Sequence, residues 1–244
     1  MSPEAHRLYP AIEATWPPAS RTLAGPWMLR DGAGGGKRVS CATAEAEWTE
    51  DDLPAAEQAM RLFQQTPLFM VRAGETELDA ALAARGYEVV DPVTLWLCPV
   101  AHLTDQPLPR VTAFAIWEPL AIMTEIWDAG GIGPARRRVM HRATGPKTAI
   151  FGRVSDKPAG TGFCAVHDGI AMVHALEIAT AHRGKGLGKW MMRCASFWAA
   201  ENGADYMTAL CTDANAAANG LYASLGMQAV GQYHYRMLPN SEGD

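Results

Sequence analysis

The chain has 244 residues, of which 48% are hydrophobic and 19% charged, a composition typical of a globular protein with a sizeable core. Its formal net charge of -5 argues against general nucleic-acid binding, because there is no surplus of Lys and Arg to neutralise phosphates over a wide surface. The amino-terminal stretch lacks a signal-peptide pattern, and no apolar run approaches the ~20 residues that span a bilayer. We therefore predict a cytoplasmic protein.

The first hundred residues predict a mixture of helices and strands. A helix over residues 4–16 is expected to stop at Pro17-Pro18, and a glycine-rich turn is expected to join two strands over residues 25–48. The pattern then predicts a helix over 50–65, a strand over 67–74, a helix over 75–86 and a strand pair over 87–100. The polar, proline-bearing residues 101–110 are the candidate linker.

The second part of the chain predicts another alternation of strands and helices. A strand over 111–117 precedes two helical stretches within 118–143, and three strands follow within 147–180. The last of these, "IAMVHALEI", is apolar on both faces, which is typical of a central strand. A helix over about 186–202, a strand over 205–212, a helix over 215–226 and a final strand region over 227–238 complete the chain.

The five cysteines are scattered, odd in number and never spaced as C-x-x-C. This pattern favours reduced thiols over a disulfide framework or a zinc site, so we predict no metal centre.

The turn "RGKGLG" follows the predicted central strand and opens the helix that begins near residue 186. Helix amino termini present amide N–H groups without intrahelical partners, and glycines let an anion approach the backbone closely. The cations Arg183, Lys185 and Lys189 add positive charge at this turn. We therefore interpret the turn as an anion-binding site. The order R-x-x-G-x-G differs from nucleotide-triphosphate loops and from the dinucleotide fingerprint.

The same residues resemble the acyl-CoA-binding signature of the GNAT superfamily of N-acetyltransferases. "NAAANGLYASLGM" is similar to a later helix of that family, and the order of elements over about 111–239 is similar to a whole GNAT domain. The resemblance implies an α+β fold with a mixed central sheet flanked by helices. It also implies acetyl-CoA (coenzyme A) as the cofactor.

The resemblance assigns cofactor-binding roles to named residues. The pyrophosphate is expected on main-chain amides of the turn, beside Arg183, and the pantetheine arm is expected to pair with the strand where two strands splay apart. Asn215 is expected to help hold the pantetheine end. The turn residues are Gly184, Lys185, Gly186, Leu187, Gly188 and Lys189, and the strand residues are Leu176, Glu177 and Ile178.

Acetyl transfer to an amine needs a base, stabilisation of the developing negative charge and a proton donor for the departing thiolate. The resemblance assigns the proton donor to Tyr222, and a backbone N–H near Ile178 is the expected donor to the carbonyl oxygen. His174 and Glu177 are rival candidates for the base, and a water chain without a single base is a third possibility. Without a β-bulge, His174 and Glu177 would point to opposite faces of the strand.

The amino-terminal half carries a weak repeat of the carboxyl-terminal half. Residues 67–97 and 205–238 both run strand, helix, glycine, strand pair. The segment over 44–58 has six acidic residues and no glycine, so this copy is expected not to bind coenzyme A. We predict a degenerate GNAT-like region over 1–105 and an acetyltransferase domain over 110–240.

The predicted function is an acetyl-CoA-dependent N-acetyltransferase that modifies the primary amine of a small molecule in a ternary complex, as a monomer or a homodimer. The alternatives are a non-catalytic CoA-binding sensor and a protein or peptide N-acetyltransferase. Four residues of the first strand–helix region could line the acceptor pocket or could be ordinary surface and core positions: Trp117, Glu118, Glu125 and Trp127.

Overall fold

The structure is a computed structural model that describes residue 3 and residues 5–239. The chain divides into two compact units. Unit 1 contains the described residues up to Pro17 together with Leu95–Cys211 and Asn215–Val230. Unit 2 contains Pro18–Thr94, Thr212–Ala214 and the described residues from Gly231 onward. Residue 4 of the first predicted helix, and the outer ends of both predicted domains, lie outside the described residues.

Unit 1 contains most of the helices. They are α1 (Ala5–Thr15), α4 (Val100–Leu103), α5 (Ala121–Ala129), α6 (Pro134–Arg142), α7 (Leu187–Glu201) and α8 (Ala216–Ser224). Its strands are β6 (Ala113–Ile116), β7 (Lys147–Val154), β8 (Lys157–His167), β9 (Ile170–Ile178) and β10 (Tyr206–Thr212), with a 3₁₀ turn over Thr180–His182. Two further strands, β5 (Glu88–Pro99) and β11 (Gln228–Met237), contribute residues to both units.

The sheet of unit 1 is mixed. Its strand order is β5–β10–β9–β8–β7–β6. β9 pairs in parallel with β10, whereas β9–β8, β8–β7 and β7–β6 are antiparallel. The apolar strand "IAMVHALEI" therefore lies in the interior of the sheet, as its pattern predicts. The predicted α+β class with a mixed sheet flanked by helices is confirmed.

The helix α7 packs closely against β7 and β8. Its apolar stripe includes Leu187, Met191 and Cys194, all buried. A Cβ atom at Gly152 or Gly160 would lie 2.6 or 2.7 Å from the sulfur of Met191, so a larger residue at either position would have to displace the Met191 side chain. The stripe and the two glycines fix α7 against one face of the sheet.

Unit 2 contains the strands β1 (Ser20–Ala24), β2 (Trp27–Asp31), β3 (Thr43–Ala44) and β4 (Leu68–Arg72), and the helices α2 (Leu53–Leu62) and α3 (Thr76–Ala84). β1, β2 and β3 form an antiparallel three-stranded sheet, and β4 pairs antiparallel with the end of β11. Within this unit, Asp79 of α3 accepts hydrogen bonds at 2.7 Å from Arg236 and 2.8 Å from His234 of β11.

Three details of the sequence prediction were wrong. Strand β1 was missed, the region predicted as a strand pair over 87–100 is the single strand β5, and the candidate linker over 101–110 begins inside helix α4. In β5, Asp91 has a φ of 45°, so a local kink interrupts the strand without ending it. Pro92 follows this kink, and a proline within a strand pattern usually indicates that the strand ends there. This explains why two strands were expected.

The predicted repeat has matching element boundaries. The segments β4–α3–β5 and β10–α8–β11 have the same spacing of elements. In the second segment, the first strand ends, the helix begins and ends, and the next strand begins 140 residues after the same points in the first. Within unit 2, β4 pairs with the end of β11, and within unit 1 β10 neighbours β5. Each compact unit therefore includes a strand from the other half of the sequence. A degenerate amino-terminal GNAT copy and its boundary near residue 105 remain predictions.

All five cysteines are free and buried. Burial raises the pKa of the Cys98 thiol to about 11 and that of Cys194 to about 12.

Within the described part of the chain, no helix is long and apolar enough to cross a membrane. Among residue 3 and residues 5–239, there is no group of three or more His, Cys, Asp or Glu side chains that could hold a metal ion.

Candidate active site

A β-bulge in β9 shapes the centre of the candidate site. Thr161 of β8 pairs with Glu177, and Phe163, two residues later, pairs with His174, three residues earlier, so β9 contains one extra residue. Ala175 lies in the bulge with a φ of 50°, and the indole N–H of Trp127 donates to its carbonyl oxygen at 2.8 Å. Because of the bulge, His174 and Glu177 face the same side of the sheet.

His174 is enclosed by helix α1. Its side chain is 4% exposed, its Nε2 lies 2.9 Å from Thr15 Oγ1, and its ring centroid lies 4.9 Å from that of Trp16. The Thr15 hydroxyl donates to the carbonyl of Ala11 at 2.6 Å, and it has only one hydrogen to donate. Thr15 therefore accepts from His174, which places a proton on Nε2.

Glu177 lies at the edge of the bulge, between a glycine and an arginine. Arg183 Nη2 donates to Glu177 Oε1 at 2.9 Å, and Arg183 Nε donates to the carbonyl of Ile178 at 3.0 Å. A Cβ atom at Gly130, which follows α5, would lie 2.6 to 2.8 Å from the end of the Glu177 side chain. The carboxylate is thus packed on the backbone of Gly130 and ion-paired with the first cation of the glycine-rich turn.

The turn after β9 exposes its backbone. Gly184 and Gly186 have φ values of 74° and 78°, Gly186 is the N-cap of the 15-residue helix α7, and no heavy atom lies within 4 Å of a Cβ built at either glycine. Lys185 Nζ donates to Ala181 O at 3.1 Å, and Lys189 N donates to Gly186 O at 3.1 Å. The amide groups at the start of α7 therefore lie beside open space.

Parallel pairing between β9 and β10 runs from Ile170↔Tyr206 to Val173↔Ala209. Both strands continue beyond these pairs, β9 to Ile178 and β10 to Thr212. The pairing of β9 with β10 therefore ends before Leu176, Glu177 and Ile178, the residues expected to pair with the pantetheine arm. The expected position of the pantetheine arm requires these residues to be unpaired on the β10 side, and this part of β9 lies beyond the pairs with β10.

Helix α8 lies beside the glycine-rich turn. A Cβ at Gly188 would meet Leu221 of α8 at 3.0 Å, so the two segments pack closely. Asn215 is the N-cap of α8 and accepts from the amide of Ala218 at 3.0 Å. Tyr222 is 4% exposed, with its ring 6.3 Å from that of Trp96. Both predicted residues of this helix therefore belong to the same unit as the turn.

These features fit coenzyme A. A diphosphate needs backbone amides that it can approach closely, and Gly184 and Gly186 leave that approach open. The Nδ1 of His182, directly before Arg183, is buried and has no hydrogen-bond partner among the described residues, so a polar group is available there as well. On the side away from β8, the end of β9 beyond its pairs with β10 offers backbone groups to a ligand that carries amides of its own.

The four candidate acceptor-wall residues occupy different environments. Trp127 is fully buried and holds the bulge, so it supports the site from the core. The ring centroid of Trp117 lies 5.9 Å from that of Phe163 and 4.9 Å from Lys147 Nζ. Glu118 and Glu125 are exposed. Burial lowers the pKa of Lys147, and the charge of Glu118 opposes this shift.

Several residues around Glu177 and His174 could not be predicted from the sequence. Thr15 and Trp16 come from the amino-terminal segment of unit 1, Gly130 directly follows α5, and Thr161 lies in β8. Leu8, Ile12 and Thr15 lie on the buried face of α1, but no local pattern indicates that this face covers His174. Contacts between distant segments carry no local signal.

The sequence is similar to that of N-acetyltransferases. The model of the Acetyltransferase (GNAT) family matches residues 119–227. The uncharacterized N-acetyltransferase YobR of Bacillus subtilis (strain 168) is 30% identical over 240 residues, which cover 92% of this chain and 94% of YobR. The fold, the glycine-rich turn and this relative define the class: the chain belongs to the GNAT family and is a GNAT-type N-acetyltransferase.

Two solved structures extend the likeness over almost the whole chain. The GCN5-related N-acetyltransferase from Kribbella flavida has a TM-score of 0.71 at 19% identity and covers 97% of this chain and 96% of its own. A tandem GNAT protein from the clavulanic acid biosynthesis pathway has a TM-score of 0.64 at 14% identity and covers 97% of this chain and 89% of its own. At these identities the likeness concerns the fold.

Proposed function

We propose that the protein transfers an acetyl group from acetyl-CoA to the primary amine of a small molecule, by direct attack within a ternary complex. The GNAT family uses acetyl-CoA as co-substrate. The observation that carries the proposal is the exposed turn over Arg183–Lys189 beside the end of β9 that continues beyond its pairing with β10. When bound, acetyl-CoA would supply an activated acyl thioester.

The cofactor-binding residues have distinct roles in this proposal. Amides from Gly184 to Gly188 bind the pyrophosphate, and Lys189, whose own amide donates to Gly186 O, adds its charge to those of Arg183 and Lys185. Backbone groups of Leu176–Ile178 pair with the pantetheine arm, and Asn215 holds its end. The Arg183 contact with Ile178 O, at 3.0 Å, must open for that carbonyl to pair with a ligand.

The contacts favour Glu177 over His174 as the base. The imidazole is 4% exposed and covered by Thr15 and Trp16, and its Nε2 donates to Thr15, so only Nδ1 keeps a lone pair and the ring is shielded from an acceptor. Glu177 is partly exposed and lies beside the turn. A carboxylate there can accept the amine proton directly or through water. His174 is instead proposed to fix β9 against α1.

Tyr222 is proposed as the proton donor. Its hydroxyl carries a proton at neutral pH, because the reference pKa of tyrosine is about 10. It lies on α8, the helix that packs on Gly188 of the turn. A fixed phenol beside the departing sulfur would protonate the thiolate and prevent the reverse attack.

A small acceptor is favoured because helices cover this face of the sheet. α1 and α5 both pack against β8 and β9 on the side of His174 and Glu177. A long peptide needs an open groove, which these helices reduce. The aromatic rings of Trp16, Trp117 and Phe163 pack together on this side, so the part of the acceptor that meets them should be apolar.

The test is a thiol-release assay with acetyl-CoA against a panel of primary amines and short peptides, using wild-type protein and Tyr222→Phe. We expect release with a small amine, and a fall of ~10²–10⁴-fold in kcat for Tyr222→Phe with CoA affinity retained. Tyr206→Phe, on β10, provides a matched control with wild-type turnover. CoA binding without release across the panel would indicate a sensor, and release with peptides alone would indicate a protein substrate.

A further inference from the structure

The hydroxyl of Thr161 is buried beside the candidate base. The residue is 0% exposed, and its Oγ1 has no hydrogen-bond partner among the described residues. Such a group is unfavourable in the interior of a protein, because its hydrogen bonds to water are lost on folding and nothing replaces them. A partner that arrives with a ligand would explain why a hydroxyl is present there.

Thr161 faces the acceptor side of the sheet. Its neighbours Gly160 and Gly162 face the other side, because a Cβ at Gly160 would meet Met191 of α7 and one at Gly162 would meet Leu176. Side chains alternate along a strand, so Thr161 faces away from α7. Its cross-strand partner is Glu177. Directly opposed residues have Cβ atoms about 4.5–5.5 Å apart, which is within reach of a hydrogen bond between a hydroxyl and a carboxylate.

The present partner of Glu177 is a residue that the cofactor is expected to engage. Arg183 is 58% exposed and opens the turn that is proposed to bind the pyrophosphate. A diphosphate attracts the guanidinium strongly, since charge-assisted hydrogen bonds to phosphate are short and bidentate. Once Arg183 turns to the phosphate, the Glu177 carboxylate needs another hydrogen-bond donor.

We propose that Thr161 is a positioning residue for Glu177: in the CoA-bound enzyme its hydroxyl donates to the Glu177 carboxylate and aims that carboxylate at the acceptor amine. The proposal rests on the proposed function, which supplies the cofactor and the role of Glu177. In the free enzyme the hydroxyl is buried without a partner, and in the bound enzyme it is satisfied. Thr161 thus contributes to catalysis and to cofactor binding and opposes the stability of the free protein.

The central variant is Thr161→Val, which removes the hydroxyl and preserves the shape of the side chain. Its melting temperature without cofactor should equal or exceed that of wild type, because no hydrogen bond is lost. Its rise in melting temperature on addition of CoA should be smaller than that of wild type. Its kcat should fall about 10-fold, the effect of one lost hydrogen bond to a charged group. Thr161→Ser should restore both properties.

Thr208→Val is the matched control. Thr208 is 1% exposed, and its hydroxyl donates to the carbonyl of Ala171 at 2.8 Å. Loss of this bond should lower the melting temperature of the free protein and leave kcat and the CoA-induced shift unchanged. If Thr161→Val behaves like Thr208→Val, a structural water satisfies the Thr161 hydroxyl and the proposal is overturned.

A double-mutant cycle tests whether Thr161 acts through Glu177. In a Glu177→Gln background, Thr161→Val should reduce kcat by less than 2-fold, because the two changes remove one shared interaction. Additive effects would overturn the proposal while leaving the proposed function intact. A wild-type protein that shows neither a CoA-induced shift nor turnover would instead overturn the proposed function, and the role of Thr161 with it.

Discussion

The guanidinium of Arg183 lies 2.9 Å from the carboxylate of Glu177. One of these residues is proposed to bind the cofactor and the other to accept the acceptor's proton. Cofactor binding and the environment of the base are therefore connected through a single ion pair.

Replacement of Arg183 by Gln should weaken CoA binding without unfolding the protein. The pair is exposed on the arginine side, and such pairs contribute at most about 1 kcal/mol to stability. Loss of a charged phosphate contact should raise the Kd for CoA about 10-fold and reduce its salt dependence. Calorimetry at two ionic strengths measures the Kd for CoA and its salt dependence, and urea denaturation measures the stability of the protein. Arg7→Gln is the control, because Arg7 forms an exposed ion pair with Asp168 elsewhere in unit 1.

Gly186→Ala and Gly203→Ala separate backbone strain from cofactor binding. Both glycines flank α7, with φ values of 78° and 79°, and neither has a heavy atom within 4 Å of an added Cβ. Each substitution should cost about 1–2 kcal/mol of stability, since alanine is disfavoured in this conformation. Gly186→Ala alone should weaken CoA binding, by reorienting the amides at the start of the helix. Equal affinities in the two variants would contradict the assigned turn.

Gly130→Ala should displace the Glu177 side chain. The added Cβ would lie 2.6 to 2.8 Å from atoms at the end of that side chain, which can move without disturbing the backbone. We expect kcat to fall at least about 10-fold while the melting temperature changes little. Gly133→Ala is the control, since a Cβ there meets no heavy atom within 4 Å. Unchanged turnover in Gly130→Ala would argue that Glu177 is not the base.

Thr15→Val should destabilise the protein by about 1–3 kcal/mol, because the buried Nε2–H of His174 would lose its acceptor. Thr15→Ser retains the hydroxyl and should be close to wild type. Urea denaturation of the two variants gives the difference. If both variants are equally stable, the contact between Thr15 and His174 does not stabilise α1 against β9.

Asp79 should make stability depend on pH in the acid range. The hydrogen bond from Arg236 lowers the pKa of Asp79, burial opposes this shift, and His234 adds to the lowering. A lowered pKa in the folded state means that the unfolded chain binds the proton more tightly. The contribution of Asp79 is therefore present above its ordinary pKa, near about 4, and is lost as the pH falls below that value.

Urea melts between pH 3 and pH 7 provide the measurement. Wild type should lose stability more steeply than Asp79→Asn below about pH 4, and the two curves should be parallel above it. Parallel curves over the whole range would show that the ion pair does not affect folding in acid.

Local signals predicted most of the elements. Leu187, Met191 and Cys194 share a helical stripe, and the helix they define ends at Glu201, two residues before Gly203. The apolar pattern of "IAMVHALEI" predicted an interior strand, and the motif residues predicted the GNAT fold. These features depend on neighbours within a few residues, so the sequence alone can specify them.

The arrangement inside the site depends on contacts over long distances in the chain. Thr15 lies 159 residues from His174, and nothing in the sequence around either residue indicates the hydrogen bond between them. A bulge between His174 and Glu177 could be suggested but not established, because its formation depends on how β8 aligns with β9. The ion pair of Glu177 with Arg183 depends on that bulge in turn.

Each compact unit includes strand residues from the other half of the sequence, and this affects how the two halves can be produced separately. A cut near codon 105 separates β10 from its neighbour β5 and separates β4 from its partner β11. Each fragment would expose a strand edge without its hydrogen-bonding partner, and exposed strand edges promote aggregation of an overexpressed protein. The two fragments should therefore be co-expressed, so that each can recover the strand it lacks.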